Sequence, residues 1–298
     1  MPLPQKPELP AEVFDLYDRY AHNLLDRREF VGKLSAFAVG GLTVSGLLSQ
    51  LLPDYENTLQ VTADDPRLDA DTIEYTTPGS GITMRGLLTR PVEAEEKLPG
   101  IIVVHENRGL NPYIEDVARR AGLANFIALA PDALTPLGGY PGNDDDGRAM
   151  QRERDRDEML EDFIAAYEYL RHHPECSGRV GVVGFCFGGS ISNKMAVRLP
   201  ELGAAVPFYG GQPVAEDVPS IQAPLLLHFG ELDERVNAGW PEYEKALKAN
   251  DKAYTAHFYS GAQHGFHNDT TPRYDEAAAK LAWERTIAFF NEHLRKEE

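Results

Sequence analysis

An α/β fold is what the sequence predicts: a mainly parallel sheet with helices on both faces, preceded by a helical extension. From about residue 70 onward, short apolar runs alternate with amphipathic segments, the pattern of strands and helices that pack as layers. Runs such as "GIIVVH", "FIALAP" and "PLLLHFG" are apolar throughout, as strands covered on both faces must be. The first sixty residues follow a helical period instead.

In that leading segment "AEVFDLYDRYAHNLLDRREF" spaces Val13, Phe14, Tyr17, Tyr20 and Leu24 as one face of a helix, which therefore lies against something apolar. The uncharged stretch Leu34 to Leu52 is about long enough to span a bilayer, yet its Gly, Ser, Thr and Gln content makes it a poor anchor. Stable membrane insertion is not expected. Arg27, Arg28 and Phe30 resemble a twin-arginine export signal, with "VTA" at 61 to 63 as its cleavage site. The preferred reading is a cytoplasmic chain whose residues 1–56 form a helical extension, buried on the body or in a homodimer; periplasmic export is the alternative. Residues 57–298 form the α/β domain.

Within this domain "DTIEYTT" and "ITMRGLLTR", joined by Pro-Gly-Ser-Gly, predict an antiparallel hairpin at the sheet's edge. Strands then alternate with helices over Tyr113 to Leu123, Glu158 to His172, from Ser190, Glu242 to Ala249 and Asp275 to Leu294, with "RVGVVGF", "AAVPFY" and "YTAHFY" as further strands. The segment "TPLGGYPGNDDDGRAMQRERDRD" shows no period and is expected to be a surface excursion or lid. Ligands bind outside the carboxyl ends of such strands.

The 298 residues carry a formal net charge of -18 with no basic cluster to offset it, which excludes nucleic acid as an expected partner. The two cysteines, Cys176 and Cys186, are read as free thiols, and no Cys or His spacing predicts a metal. Cys186 stands in Gly184-Phe185-Cys186-Phe187-Gly188 between a strand and a helix, the spacing of a nucleophile elbow. Flanking glycines let strand and helix approach, and the helix start favours a thiolate. A packed core thiol is the competing reading. Asp233 and His264 end two later strands, giving the chain order nucleophile, acid, histidine. His264 is then the base that takes the thiol proton and later activates water, with Asp233 orienting its ring. His267 is a decoy.

With "HENRG", "GFCFGG", "GELD" and "QHGF" in place, the chain from about residue 70 onward resembles the dienelactone hydrolase family, α/β-hydrolases with Cys in place of Ser. The resemblance implies Cys186 as nucleophile, His264 as base, Asp233 as orienting acid, and Glu106 as the carboxylate that contacts the resting thiol and moves when substrate arrives. Backbone N–H groups of Phe187 and Asn107 would form the oxyanion hole. Tyr209 matches a pocket tyrosine and is equally a core aromatic. Family members acting on a dienelactone carboxylate carry an arginine four residues after the histidine, where this chain has Asn268. Arg148, Arg152 and Arg273 are the candidate replacements for binding substrate, although a charged surface would leave each solvated. The expected activity is hydrolysis of small esters or lactones through an acyl-enzyme, without cofactor or metal. Alternatives are a thioesterase, a broader carboxylesterase, or a non-catalytic binding or redox-sensor protein of the same fold.

Overall fold

The computed structural model describes residues 9–22, 24–38, 43–94 and 96–295. Three helices precede the sheet: α1 (Ala11–Ala21), α2 (Arg27–Leu34) and α3 (Val44–Leu51). They close around their own apolar cluster, in which Val13, Tyr17, Tyr20, Phe30, Leu34 and Leu47 are buried. The rings of Tyr20 and Phe30 stack at 4.4 Å. Leu24 departs from the expected helical face: α1 ends at Ala21, so the period no longer applies, and the side chain is 61% exposed. A capping box at Asp26 and Glu29 starts α2, its two side chains satisfying backbone donors that the first turn leaves open. Of the stretch Leu34 to Leu52, residues 39–42 lie outside the described set; no described helix is long and apolar enough to cross a membrane.

The body is an eight-stranded sheet of β1 (Leu68–Thr76), β2 (Thr83–Pro91), β3 (Leu98–Val104), β4 (Ile127–Pro131), β5 (Cys176–Phe185), β6 (Ala204–Phe208), β7 (Leu225–Gly230) and β8 (Tyr254–Tyr259). Their order is β1-β2-β4-β3-β5-β6-β7-β8. The expected hairpin is antiparallel and joins β4 antiparallel; all later pairs are parallel. Strand alternation sends Ile102, Val104 and Val182 to one face and Ile101, Val103 and Val183 to the other. Helices α4 (Pro112–Leu123) and α10 (Glu276–Leu294) cover the second face; α6 (Arg156–Arg171), α7 (Phe187–Arg198) and α9 (Trp240–Ala249) cover the first.

The segment from Thr135 to Asp157 is more ordered than its sequence predicts. It holds a 3-10 turn at Thr135–Leu137 and helix α5 (Asp144–Glu153). No apolar period announced α5 because its inward residues are polar: Asp144, Arg148 and Gln151 are buried. Asp144 accepts hydrogen bonds from Arg108 (2.8 Å), Tyr55 (2.9 Å) and Tyr140 (3.0 Å), which satisfy a carboxylate that burial alone would disfavour. A short helix, α8 (Glu234–Asn237), follows β7 and opens on Asp233.

Candidate active site

Cys186 lies between the last residue of β5 and the first of α7, with φ 56° and ψ -109°. A side chain larger than hydrogen at Gly184 would put its Cβ 2.0 Å from the Gly188 carbonyl oxygen, and one at Gly188 would lie 2.3 Å from that of Val104. The two glycines are thus a steric condition of the sharp turn. The turn is pinned by the Cys186 N–H donating to Phe208 O (3.1 Å). The N–H groups of Phe187 and Asn107 have no hydrogen-bond partner among the described residues. Both cysteines are free; Cys176 is buried, and burial pushes its thiol up.

Two histidines face the Cys186 sulfur. His264, in the loop after β8, donates from Nδ1 to Asp233 Oδ2 at 2.6 Å, while its buried Nε2 has no hydrogen-bond partner. His22, at the C-terminal end of α1, places Nε2 3.4 Å from the sulfur. Sequence reasoning missed this residue. Its one local trait, an acid four residues earlier at Asp18, is common on solvated helices. Ring nitrogens of His22 and His264 and the sulfur lie within 4.8 Å of one another, the only group among the described residues spaced to hold a metal ion. A guanidinium N–H of Arg235 donates to His22 Nε2 at 2.9 Å, and a cation there opposes a second one. The cluster is better suited to proton transfer.

Burial works against ionisation of the Cys186 thiol, but the charges of His264 and His22, with the hydrogen bond to His22, outweigh it and draw the thiol down to about 5. Burial likewise disfavours both imidazolium ions; Asp233 and Cys186 raise His264, and Cys186 and Asp18 raise His22. Asp233 is held below the usual carboxylate range, burial being outweighed by His264 and then Arg235.

Glu106 follows the end of β3 and is buried; Asn268 Nδ2 donates to its Oε2 at 3.0 Å. The resemblance implies a contact between Glu106 and the resting thiol, whereas here the sulfur's hydrogen bond goes to His22 and the carboxylate's to Asn268. Tyr209 is buried, with its ring centre 5.0 Å from that of His264 and its hydroxyl unpaired. His267 sits apart from the sulfur cluster, its Nδ1 2.7 Å from the Tyr113 hydroxyl. An open cavity of about 360 Å³ is lined by Cys186, His264, His22, Phe187, Asn107, Tyr209, Arg148 and Arg235, among others.

The expectation that Arg148 and Arg273 are solvated is corrected: they are 4% and 6% exposed. The extension covers both. Arg148 pairs with Asp145 and lies over the Tyr20 ring at 4.2 Å. Arg273 donates to Asp18 at 2.9 Å and lies over the Tyr17 ring at 4.9 Å. Arg148 lines the cavity that holds Cys186, and Arg273 lines a neighbouring one. Arg152 is exposed at the first cavity's rim.

Comparison with known proteins bears on both regions. A family model described as the dienelactone hydrolase family matches residues 84–294, and one described as YqhI-like matches residues 1–39. An Escherichia coli (strain K12) protein described as a hydrolase fragment, YghX, is 50% identical over 114 residues, 38% of this chain and 97% of its own. A Bradyrhizobium protein described as "Probable 2-oxo-3-(5-oxofuran-2-ylidene)propanoate lactonase" is 31% identical over 72% of this chain and 92% of its own. Among solved structures, a dienelactone hydrolase-like promiscuous phosphotriesterase from metagenomic libraries superposes with a TM-score of 0.67 at 25% identity, covering 76% of this chain and 99% of its own.

Proposed function

Because the chain belongs to the dienelactone hydrolase family, hydrolases of small esters and lactones, we propose that it cleaves such substrates by nucleophilic catalysis at Cys186. The observation that carries this reading is the convergence on one sulfur of a strained strand-to-helix turn and a buried His264–Asp233 pair joined at 2.6 Å. The turn is a nucleophile elbow, presenting the sulfur to the cavity that Cys186 lines.

The thiolate attacks the carbonyl carbon, and the oxyanion forms against the free N–H groups of Phe187 and Asn107. Collapse breaks the C–O bond, the leaving alkoxide takes from imidazolium the proton that the thiol gave up and departs as alcohol, and a thioester remains. His264, oriented by Asp233, draws a proton from water, which attacks the thioester and frees the acid. Glu106, held by Asn268, is the buried carboxyl that the family resemblance pairs with the resting thiol. Tyr209 and Arg148 shape the substrate cavity. Arg273 acts beside it, through Asp18. Residues 1–56 are a separate unit from the 57–298 domain, a division supported by their own apolar cluster.

Hydrolysis of p-nitrophenyl acetate and of a dienelactone tests the proposal. Cys186→Ala and His264→Ala should each remove at least about 10²-fold of kcat/KM. Rates unchanged in both variants would sink the assignment.

A further inference from the structure

The sulfur of Cys186 is approached by two carboxylate–imidazole pairs. One, Asp233–His264, comes from the loops after β7 and β8. The other, Asp18–His22, is carried by α1, outside the region that matches the hydrolase family. We propose that His22 is a second catalytic histidine, the base that takes the thiol proton in the free enzyme, so that the thiolate exists before substrate arrives and His264 is left to serve the water. The inference rests on the Cys186 nucleophile reading above.

The tautomer follows from the partners. His22 Nδ1 is 2.8 Å from the backbone carbonyl of Asp18, a group that only accepts. Nδ1 therefore carries the hydrogen, and Nε2 is the accepting nitrogen, with the Arg235 N–H at 2.9 Å and the thiol at 3.4 Å competing for its one lone pair. His264 has no such hydrogen-bonded link: its Nε2 is buried and unpartnered, free for the water of the second step. The ring of His22 stands edge-on to that of His264, with centres 4.6 Å apart at 80°.

The segment that presents His22 is locked down. Asn107 Nδ2 donates to Ala21 O at 2.6 Å, next to His22 in the chain, and the Tyr20 hydroxyl donates to Asp145 at 2.6 Å. The charged groups facing His22 are Asp18, with Arg273 behind it, Arg235 of α8, His264 and Cys186 itself. Protonation of Nε2 displaces the Arg235 donor, whose side chain is 45% exposed and has solvent to turn into.

The proton inventory closes. The thiol proton moves to His22 Nε2; sulfur forms its bond to the carbonyl carbon; the C–O bond breaks, and the alkoxide takes the proton from His22. His264 then removes a proton from water as its oxygen attacks the thioester, the C–S bond breaks, and the sulfur leaves as thiolate. The acid product loses its proton to solvent, and the proton on His264 returns across the sulfur to His22.

The test is the pH dependence of Cys186 alkylation by iodoacetamide in the full chain, read by peptide mass, which needs no turnover. The unaltered protein should be alkylated down to about pH 5. His22→Gln should move that limb up by about one to two pH units, and Asp18→Asn, which keeps the imidazole, should move it in the same direction by less. His264→Gln should move it less than His22→Gln while cutting p-nitrophenyl acetate hydrolysis by about 10²-fold. A limb that stays in place in His22→Gln, or that His264→Gln moves further, would overturn the proposal. Retained hydrolysis in Cys186→Ala would instead overturn the nucleophile reading beneath it, with the alkylation limb unaffected by that result.

Discussion

In the body, the sheet buries apolar side chains on both faces, Ile102 and Val182 on one and Ile101 and Val183 on the other, whereas the extension closes around a cluster of its own and meets the body through charges and hydrogen bonds. Asp18 with Arg273, Arg27 and Tyr20 with Asp145, and Ala21 with Asn107 make that junction. Apolar layers are non-directional and tolerate small shifts. Polar contacts fix an orientation to tenths of an ångström, which is what placing an imidazole beside a sulfur requires.

The contrast is broken most directly at Gly184. Gly184→Ala should cost about 3 kcal/mol in urea unfolding, because its Cβ meets backbone that cannot yield. A cost under about 1 kcal/mol would show that the turn relaxes.

At the junction, Arg273→Ala strips Asp18 of a buried partner. Docking of the extension should weaken by about 2 kcal/mol, less than for a fully buried pair because Asp18 is partly exposed. Proteolytic removal of the extension should then speed up roughly 30-fold, with the body's Tm unchanged. Equal loss of body and extension would mean that the two unfold as one.

Docking should also depend on pH in a stated direction. Asp18 is held below its usual value: burial works against it, and His22, His264 and Arg273 prevail. Its contribution is therefore present above the ordinary carboxylate range and lost as pH falls below it. His22 is raised, so its contribution is complete below the ordinary histidine value of about 6.5 and lost as pH rises through its folded value. Proteolysis of the extension should be slowest between these ranges; a rate that falls steadily toward alkaline pH would contradict the pairing.

The smallest effect sharpens the comparison from the other side. Gly32, exposed on α2 with nothing near its missing Cβ, should accept alanine with a gain of about 0.5 to 1 kcal/mol in extension stability.

The chain legibly announced its central strands because they are short apolar runs, the leading hairpin because a Pro-Gly-Ser-Gly turn joins its halves, and the long helices because each has an apolar face. Helix α5 escaped notice because its buried side is Asp144, Arg148 and Gln151, and a polar inner face has no hydrophobic period to detect. Arg148 and Arg273 were misplaced at the surface for the related reason that their covers, the rings of Tyr20 and Tyr17, arrive from far along the chain.

Local pattern alone therefore determined the α/β class, the Gly184–Cys186–Gly188 turn and the strand-end positions of Asp233 and His264, since each depends on residues a few places apart. Only the tertiary structure decided that His22 stands beside a sulfur 164 residues away. That contact is made by polar groups across the gap between two separately packed cores, and sequence spacing encodes periodic burial within a core, not the meeting of two.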